Sequence, residues 1–436
     1  MRNPVSAWTG AAPVVAALAT GACAGATART IDVDRRAVLL ATIEARCDAC
    51  AWDVEGREAV TLVLTTDGRY AQHLPLVRGG TARYEVLLGT VDPGPHVVRV
   101  AIDREHTARE LRSANAASAR IAALTAVRED DERYEALSFA PFLYARPNTI
   151  GRFTDVPVFM WYEREPTDRG TRYRYSVVFT NEDGGTPTDR LMATWGRTTD
   201  IEYVYSVEVD GGGRIVADDI QGPDHKILAF GGRREARHPL LWVSTDNNML
   251  LDTGTTRVRV APAPAAFPLD GASREAVMDA NPWIYAVAAR ELAREGKIAG
   301  DAPPGRNTIP DPRRFAYVEA CGHVGGAALS FEVRAGNAWI PSDRGVPAYR
   351  IVRDGCVRAA IPLPEPLGPR DLRSLRVIAS ARPNASGVSA TVPVRLDRIN
   401  TVFVLDERHR PGAPLLRWSG PAAIEVGGPP LEIAIR

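Results

Sequence analysis

Lysine is almost absent from this chain. Lys and Arg together number 53, yet Lys226 and Lys297 are the only lysines. With abundant Ala, Gly and Pro, this reads as a bias of genome base composition. Net charge is missing as well, since 53 basic side chains cancel 53 acidic ones. The chain as a whole therefore gives no electrostatic reason to expect nucleic acid or an anionic membrane as partner. No apolar run is long enough to span a bilayer, so no transmembrane segment is expected. There is no Gly-x-Ser-x-Gly elbow, Walker loop, His-Glu-x-x-His helix or dinucleotide fingerprint. Internal repeats and low-complexity tracts are lacking too.

What remains is an ordinary globular composition, 45% hydrophobic and 24% charged, in a length that suits two to four domains. The start reads as an export signal over residues 1–28. Arg2 opens it, Ala11 to Leu18 is a short apolar run, and Ala24-Gly25-Ala26 and Ala26-Thr27-Ala28 both fit an A-x-A cleavage pattern. The expected location is secreted or periplasmic. Cys23, after Thr20-Gly21-Ala22, offers the alternative of a lipid anchor. Behind the signal stand Cys47, Cys50, Cys321 and Cys356. An even count in an exported chain implies two disulfides, expected as Cys47–Cys50 and Cys321–Cys356. Cys47-Asp48-Ala49-Cys50 also has the C-x-x-C form of a redox motif, but no strand-then-helix pattern surrounds it.

The fold class expected is mainly β, with three consecutive sandwich-like modules. Residues 29–127 read as an immunoglobulin- or fibronectin-like sandwich, with strands at 60–64, 84–88 and 96–102 and a turn at Asp92-Pro93-Gly94-Pro95. His73 and His96 are lone histidines there, read as structural or surface residues. The charge-dense run Arg128 to Arg133 is a linker. Residues 134–300 form a central β-sandwich rich in aromatics. Its one marked helix, 282–295, has Asn281 as cap, Pro282 at its first position and Gly296 at its close. Residues 308–436 form a third β module.

Chemistry concentrates in the run Trp195 to Asp210. Ile201, Tyr203, Tyr205, Val207 and Val209 alternate onto one strand face, and Asp200, Glu202, Glu208 and Asp210 onto the other. Asp200 and Glu202, two apart on a strand, lie roughly 6.5–7 Å apart at Cα and point the same way. Such a pair can share a hard cation, calcium or magnesium, or one acid can raise the other's pKa for acid–base work. The simplest alternative is a solvated strand face. A second polar cluster follows: Asp224 and His225 in a loop, His238 before a strand, and Asp246 in the turn Thr245-Asp246-Asn247-Asn248. Together with Arg197 these could complete an oxygen-rich site if their strands are neighbours.

The order Phe139-Ala140-Pro141-Phe142-Leu143-Tyr144, then Trp195-Gly196-Arg197-Thr198-Thr199-Asp200-Ile201-Glu202-Tyr203-Val204, then Gln221 to His225 and Arg237-His238-Pro239-Leu240-Leu241-Trp242-Val243 resembles the vacuolar-protein-sorting sixty-two-like family. More distantly it is similar to the necrosis- and ethylene-inducing-peptide-like proteins. In the latter, the resemblance implies, an Asp and a Glu help bind a divalent cation in a β-sandwich that recognises membrane glycolipid. Carried over, those acids are Asp200 and Glu202. Arg197 stands where that family has a His, and Ile201 where it has a Trp, so Arg197 could neutralise the acids in place of a metal. Three functions are thus expected in turn: a non-enzymatic binder of glycan or lipid headgroup, a glycan-acting hydrolase using Asp200 and Glu202, or a structural envelope protein.

Overall fold

The computed structural model describes residues 26–435 apart from 114, 183, 301 and 384–392. The export segment up to residue 25, with Cys23, lies outside the described residues. The protein is mainly β. Its first sandwich pairs a four-stranded sheet (Ala26–Val33, Gly94–Asp103, Thr61–Thr66, Arg69–Pro75) with a three-stranded one (Gly80–Val91, Ala37–Cys47, Ser118–Val127). The second cleavage pattern, Ala26-Thr27-Ala28, overlaps the first of these strands.

The strand Ala37–Cys47 shows why the fold is tightly joined. Leu39, Ala41, Ile43 and Ala45 enter the core of the first sandwich with Trp52, Leu62 and Val100. Val38 and Leu40 point the other way, into a cluster with Phe142, Leu143 and Leu241 of the central sandwich. A strand covered on both faces reads as a continuous apolar run instead of an alternating one. Each buried Leu, Ile or Val here contributes on the order of 2 kcal/mol. Backbone bonds from Leu87 N–H to Ala261 O and from Ala263 N–H to Glu85 O, both 3.0 Å, add to the join.

The central sandwich has a six-stranded sheet in the order Ile227–Ala229, Ile215–Gln221, Asp200–Val209, Gly170–Phe179, Pro157–Thr167, Ala265–Ala266. Opposite it lies a smaller sheet containing His238–Val243, Phe142–Tyr144 and Arg259–Val260. Tyr173, Tyr162, Tyr175 and Tyr205 form a run of rings between them, at centroid distances near 6 Å, edge-on for the first pair, tilted for the second and stacked for the third. The far face of the larger sheet is covered too. Trp161, Val178 and Ile201 pack there against Met278, Tyr285 and Leu292 and against Tyr317 and Phe403 of the last module.

The central module was expected to carry a single helix; Tyr134–Ser138, Pro147–Arg152, Thr188–Trp195 and Ala276–Ala280 form as well. Helix Trp283–Arg294 forms as expected, but Asn281 caps its predecessor: its side chain donates to Val277 O (3.0 Å), closing the helix Ala276–Ala280. Helix Thr188–Trp195 was not expected and leads directly into the Asp200 strand. The last module is a pair of four-stranded antiparallel sheets. Both disulfides are present. Cys47–Cys50 clips the end of a strand, and Cys321–Cys356 joins directly opposed residues on neighbouring strands.

Candidate functional site

Helix Thr188–Trp195 ends at Gly196, which adopts φ +60° and donates its N–H to Met192 O at 2.9 Å. A Cβ at this position would meet Arg358 Cγ at 2.6 Å, so only glycine fits. The chain then turns through Arg197, Thr198 and Thr199 and starts the strand at Asp200. Asp200 lies opposite Phe179, and Glu202 opposite Val177.

The alternation read from sequence breaks inside this strand. Tyr205 pairs with Tyr175, but Tyr203 pairs with the next residue, Ser176, leaving Val204 as a β-bulge. The bulge reverses the faces. Ile201 stays on the outer face, packed under the helices, while Tyr205, Val207 and Val209 turn inward with Val204. Asp200 and Glu202 are therefore not on a solvated face. Asp200 is 1% and Glu202 7% exposed.

Burial of two carboxyls requires partners. The Arg197 guanidinium sits 3.6 Å from Asp200 and 3.1 Å from Glu275, and also donates to Thr199 O. Asn248 Nδ2 donates to Asp200 at 3.0 Å, with longer contacts to Asp155 and to Asn181 O. Gln221 donates to Glu202. Burial, then the charge of Asp200, pushes Glu202 well above the usual carboxylate range. The same two causes raise Glu182, from the preceding loop, to about 7. Burial alone would raise Glu275, but the arginines around it, Arg197 foremost, outweigh this and hold it low. The result is a polar core in which Arg197 takes the place of a cation between acids.

The remaining predicted residues divide. Asp246 joins the network at one remove. It pairs with Arg146, which also pairs with buried Asp155, which reaches Asn248. His225 touches the Gln221 amide at 3.1 Å and so reaches Glu202 indirectly. Asp224 is apart and exposed, and pairs with Lys226 at 3.3 Å. His238 is not at the site. It is buried at the join with the first sandwich, bonded to Ala140 O (2.9 Å) and Thr90 (3.0 Å), and burial depresses its pKa to about 4. Sequence reading missed Glu182, Asp155, Arg146 and Glu275. Asp155 sits at φ +51°, a strained position for a non-glycine residue.

Arg146 connects this network to a cavity of about 690 Å³ between the first and central sandwiches. Its wall includes Ile150, Phe153 and Val258, and Arg109, Arg112 and Arg257 stand around it with Glu55 and Glu105. Among the described residues Arg109 pairs with Glu110, Arg112 donates to Thr107 O and Arg257 pairs with Glu105. The two histidines of the first sandwich both have polar partners. His96 pairs with Asp67 at 2.7 Å, and His73, far from alone, meets Asp103 and His106.

No family model matches the chain, and no curated protein matches it. Among solved structures, chains of a family 2 glycoside hydrolase, a β-galacturonidase from Eisenbergiella tayi bound to glycerol or to galacturonate, align with it at 9% identity and a TM-score of 0.14. The alignment covers 37% of this chain and 22% of theirs. Similarity of this degree carries no argument about the protein. Among the described residues no helix is long and apolar enough to cross a membrane.

Proposed function

We propose that this is an exported binding protein without hydrolytic activity. Its ligand is a glycan or lipid headgroup bearing acidic groups, and the cavity between the first and central sandwiches holds it. The observation that carries this reading is the cavity itself. Its volume lies in the range of ligand sites, its place at a module junction is where such sites favour, and it combines apolar walls with a few converging charges. Arginine forks are suited to carboxylate and phosphate groups. The Asp200–Glu202 pair supports the non-enzymatic side. A hydrolase would need substrate to reach Glu202, which is enclosed and held by Gln221. A calcium or magnesium ion at the pair would have to compete with Arg197, already beside Asp200. The two disulfides fit an oxidising compartment.

The test uses a labelled oligouronate in solution and, separately, vesicles of phosphatidylglycerol in phosphatidylcholine. One of these should bind. The double variant Arg109→Glu, Arg257→Glu should weaken it by at least about tenfold, since a charge-assisted hydrogen bond is worth roughly 1.5–3 kcal/mol. Glu202→Gln should leave it unchanged. Binding of neither probe, or binding indifferent to the charge reversals, would contradict the reading. Sugar release that disappears in Glu202→Gln would favour the hydrolase.

A further inference from the structure

We infer that His73, Asp103 and His106 form a binding site for a zinc-like divalent metal in the first sandwich, separate from the acid pair and independent of the proposed ligand. The fold assembles the three from two segments of the chain, His73 from one and Asp103 with His106 from the other, 30 residues on. His73 lies on the strand Arg69–Pro75 and Asp103 ends the strand Gly94–Asp103, the two flanking the strand Thr61–Thr66 on either side. His106 follows three residues later, and its backbone O accepts from Thr61 Oγ1 at 2.7 Å, fixing the loop to the sheet. His73 Nε2 lies 2.9 Å and His106 Nδ1 2.7 Å from the same atom, Asp103 Oδ2. The three candidate donor atoms all fall within 4.8 Å of one another.

The outer atom of two of these groups is already engaged. Asp103 Oδ1 accepts the backbone N–H of Glu105 at 2.9 Å, so Oδ2 is left for the histidines. His73 Nδ1 meets the Tyr70 hydroxyl at 2.6 Å, and that hydroxyl accepts Arg259 N–H at 2.9 Å. Partners of this kind orient metal-bound imidazoles and fix their tautomer. Among the described residues Asp103 has no arginine or lysine partner in an ion pair, only the two imidazoles. Around a tetrahedral zinc, nitrogen and oxygen donors at about 2.0–2.2 Å would stand about 3.3 Å apart. Opening the two short contacts by about half an ångström would let one ion replace the protons they share. Two imidazoles and one carboxylate favour zinc and its neighbours over calcium or magnesium, which take oxygen donors. The site is partly open, with the side chains of Asp103 and His106 18% and 20% exposed. His106 also belongs to the wall of the 690 Å³ cavity. With three protein donors, a fourth position is left for water.

The experiment is titration of untagged, chelator-stripped protein with cobalt(II), followed by zinc. One cobalt per chain should give the visible bands of a four-coordinate ion, and zinc should displace it. His106→Gln and Asp103→Asn should each weaken binding by at least tenfold, in protein whose circular dichroism is unchanged. If neither variant folds, X-ray absorption of zinc-loaded wild-type protein decides, with two imidazoles in the coordination sphere expected. Absence of cobalt bands, affinity unchanged in both variants, or a coordination sphere without imidazole would each overturn the inference.

Discussion

Replacing Glu182 by Gln should stabilise the protein, and only above mildly acidic pH. Glu182 is largely buried, and burial together with the charge of Asp200 raises its carboxyl from 4.5 to about 7. Below about pH 4.5 the group is protonated in both folded and unfolded chains and has no effect. Between 4.5 and about 7 the unfolded chain loses the proton while the folded chain keeps it. Stability therefore falls as pH rises through that window, and the full cost is present above it. The gap corresponds to a ceiling of roughly 3 kcal/mol. Gln cannot ionise, so the variant removes that slope. Its melting temperature should exceed wild type at pH 8 by up to about 6–12 °C, at about 2–4 °C per kcal/mol for an unfolding unit of about 150–250 residues. At pH 4.5 the two should coincide. Glu291, buried against Trp52 and also raised to about 7 by burial, adds a slope of the same sign. It does so in both proteins and cancels from their difference, which reports Glu182 together with its coupling to Asp200. The assay is thermal and urea unfolding at half-unit steps from pH 4.5 to 8. A variant no more stable than wild type at pH 8, or equally more stable at pH 4.5, would refute the reasoning.

Two further outcomes are expected from unfolding measurements. Arg197→Ala should cost about 3–5 kcal/mol, because it leaves Asp200 and Glu275 buried without their cation, and adding Glu275→Gln should restore part of the loss; a cost under about 1 kcal/mol would remove Arg197 from its role. Removing Cys321–Cys356, which closes a separation of 35 residues, should cost about 3–4 kcal/mol, and removing Cys47–Cys50, with a separation of 3, about half that in the chain-entropy picture; equal losses would contradict that picture.

The sequence made the mainly β class and both cysteine pairings legible, because strand propensity and chain proximity are local signals. The site was legible only in part. Asp200, Glu202 and Arg197 stood in one short run, and the structure does place Arg197 beside Asp200. The bulge at Val204 was not legible, since Val204 and Tyr205 continue the apolar pattern and nothing local marks a slip in pairing. That one slip turns the acids from a solvated face into the interior. Helix Thr188–Trp195 is short and starts without a side-chain cap, so it carries little local signal. The junction cavity and the His73–Asp103–His106 cluster depend on residues brought together from separate strands, as does Arg146 reaching Asp246 across 100 positions. His73 alone reads as an ordinary strand residue; only the Asp103-x-x-His106 spacing offered a hint.

Hydrogen exchange of the protein with and without bound oligouronate, or with the vesicles if those are what binds, tests the central claim most directly. Slowed exchange is expected in the segments around 105–112, 146–153 and 256–258, which wall the cavity, and none specific to 196–204. Protection confined to 196–225, with the cavity segments unchanged, would place the ligand at the acid pair and contradict the account.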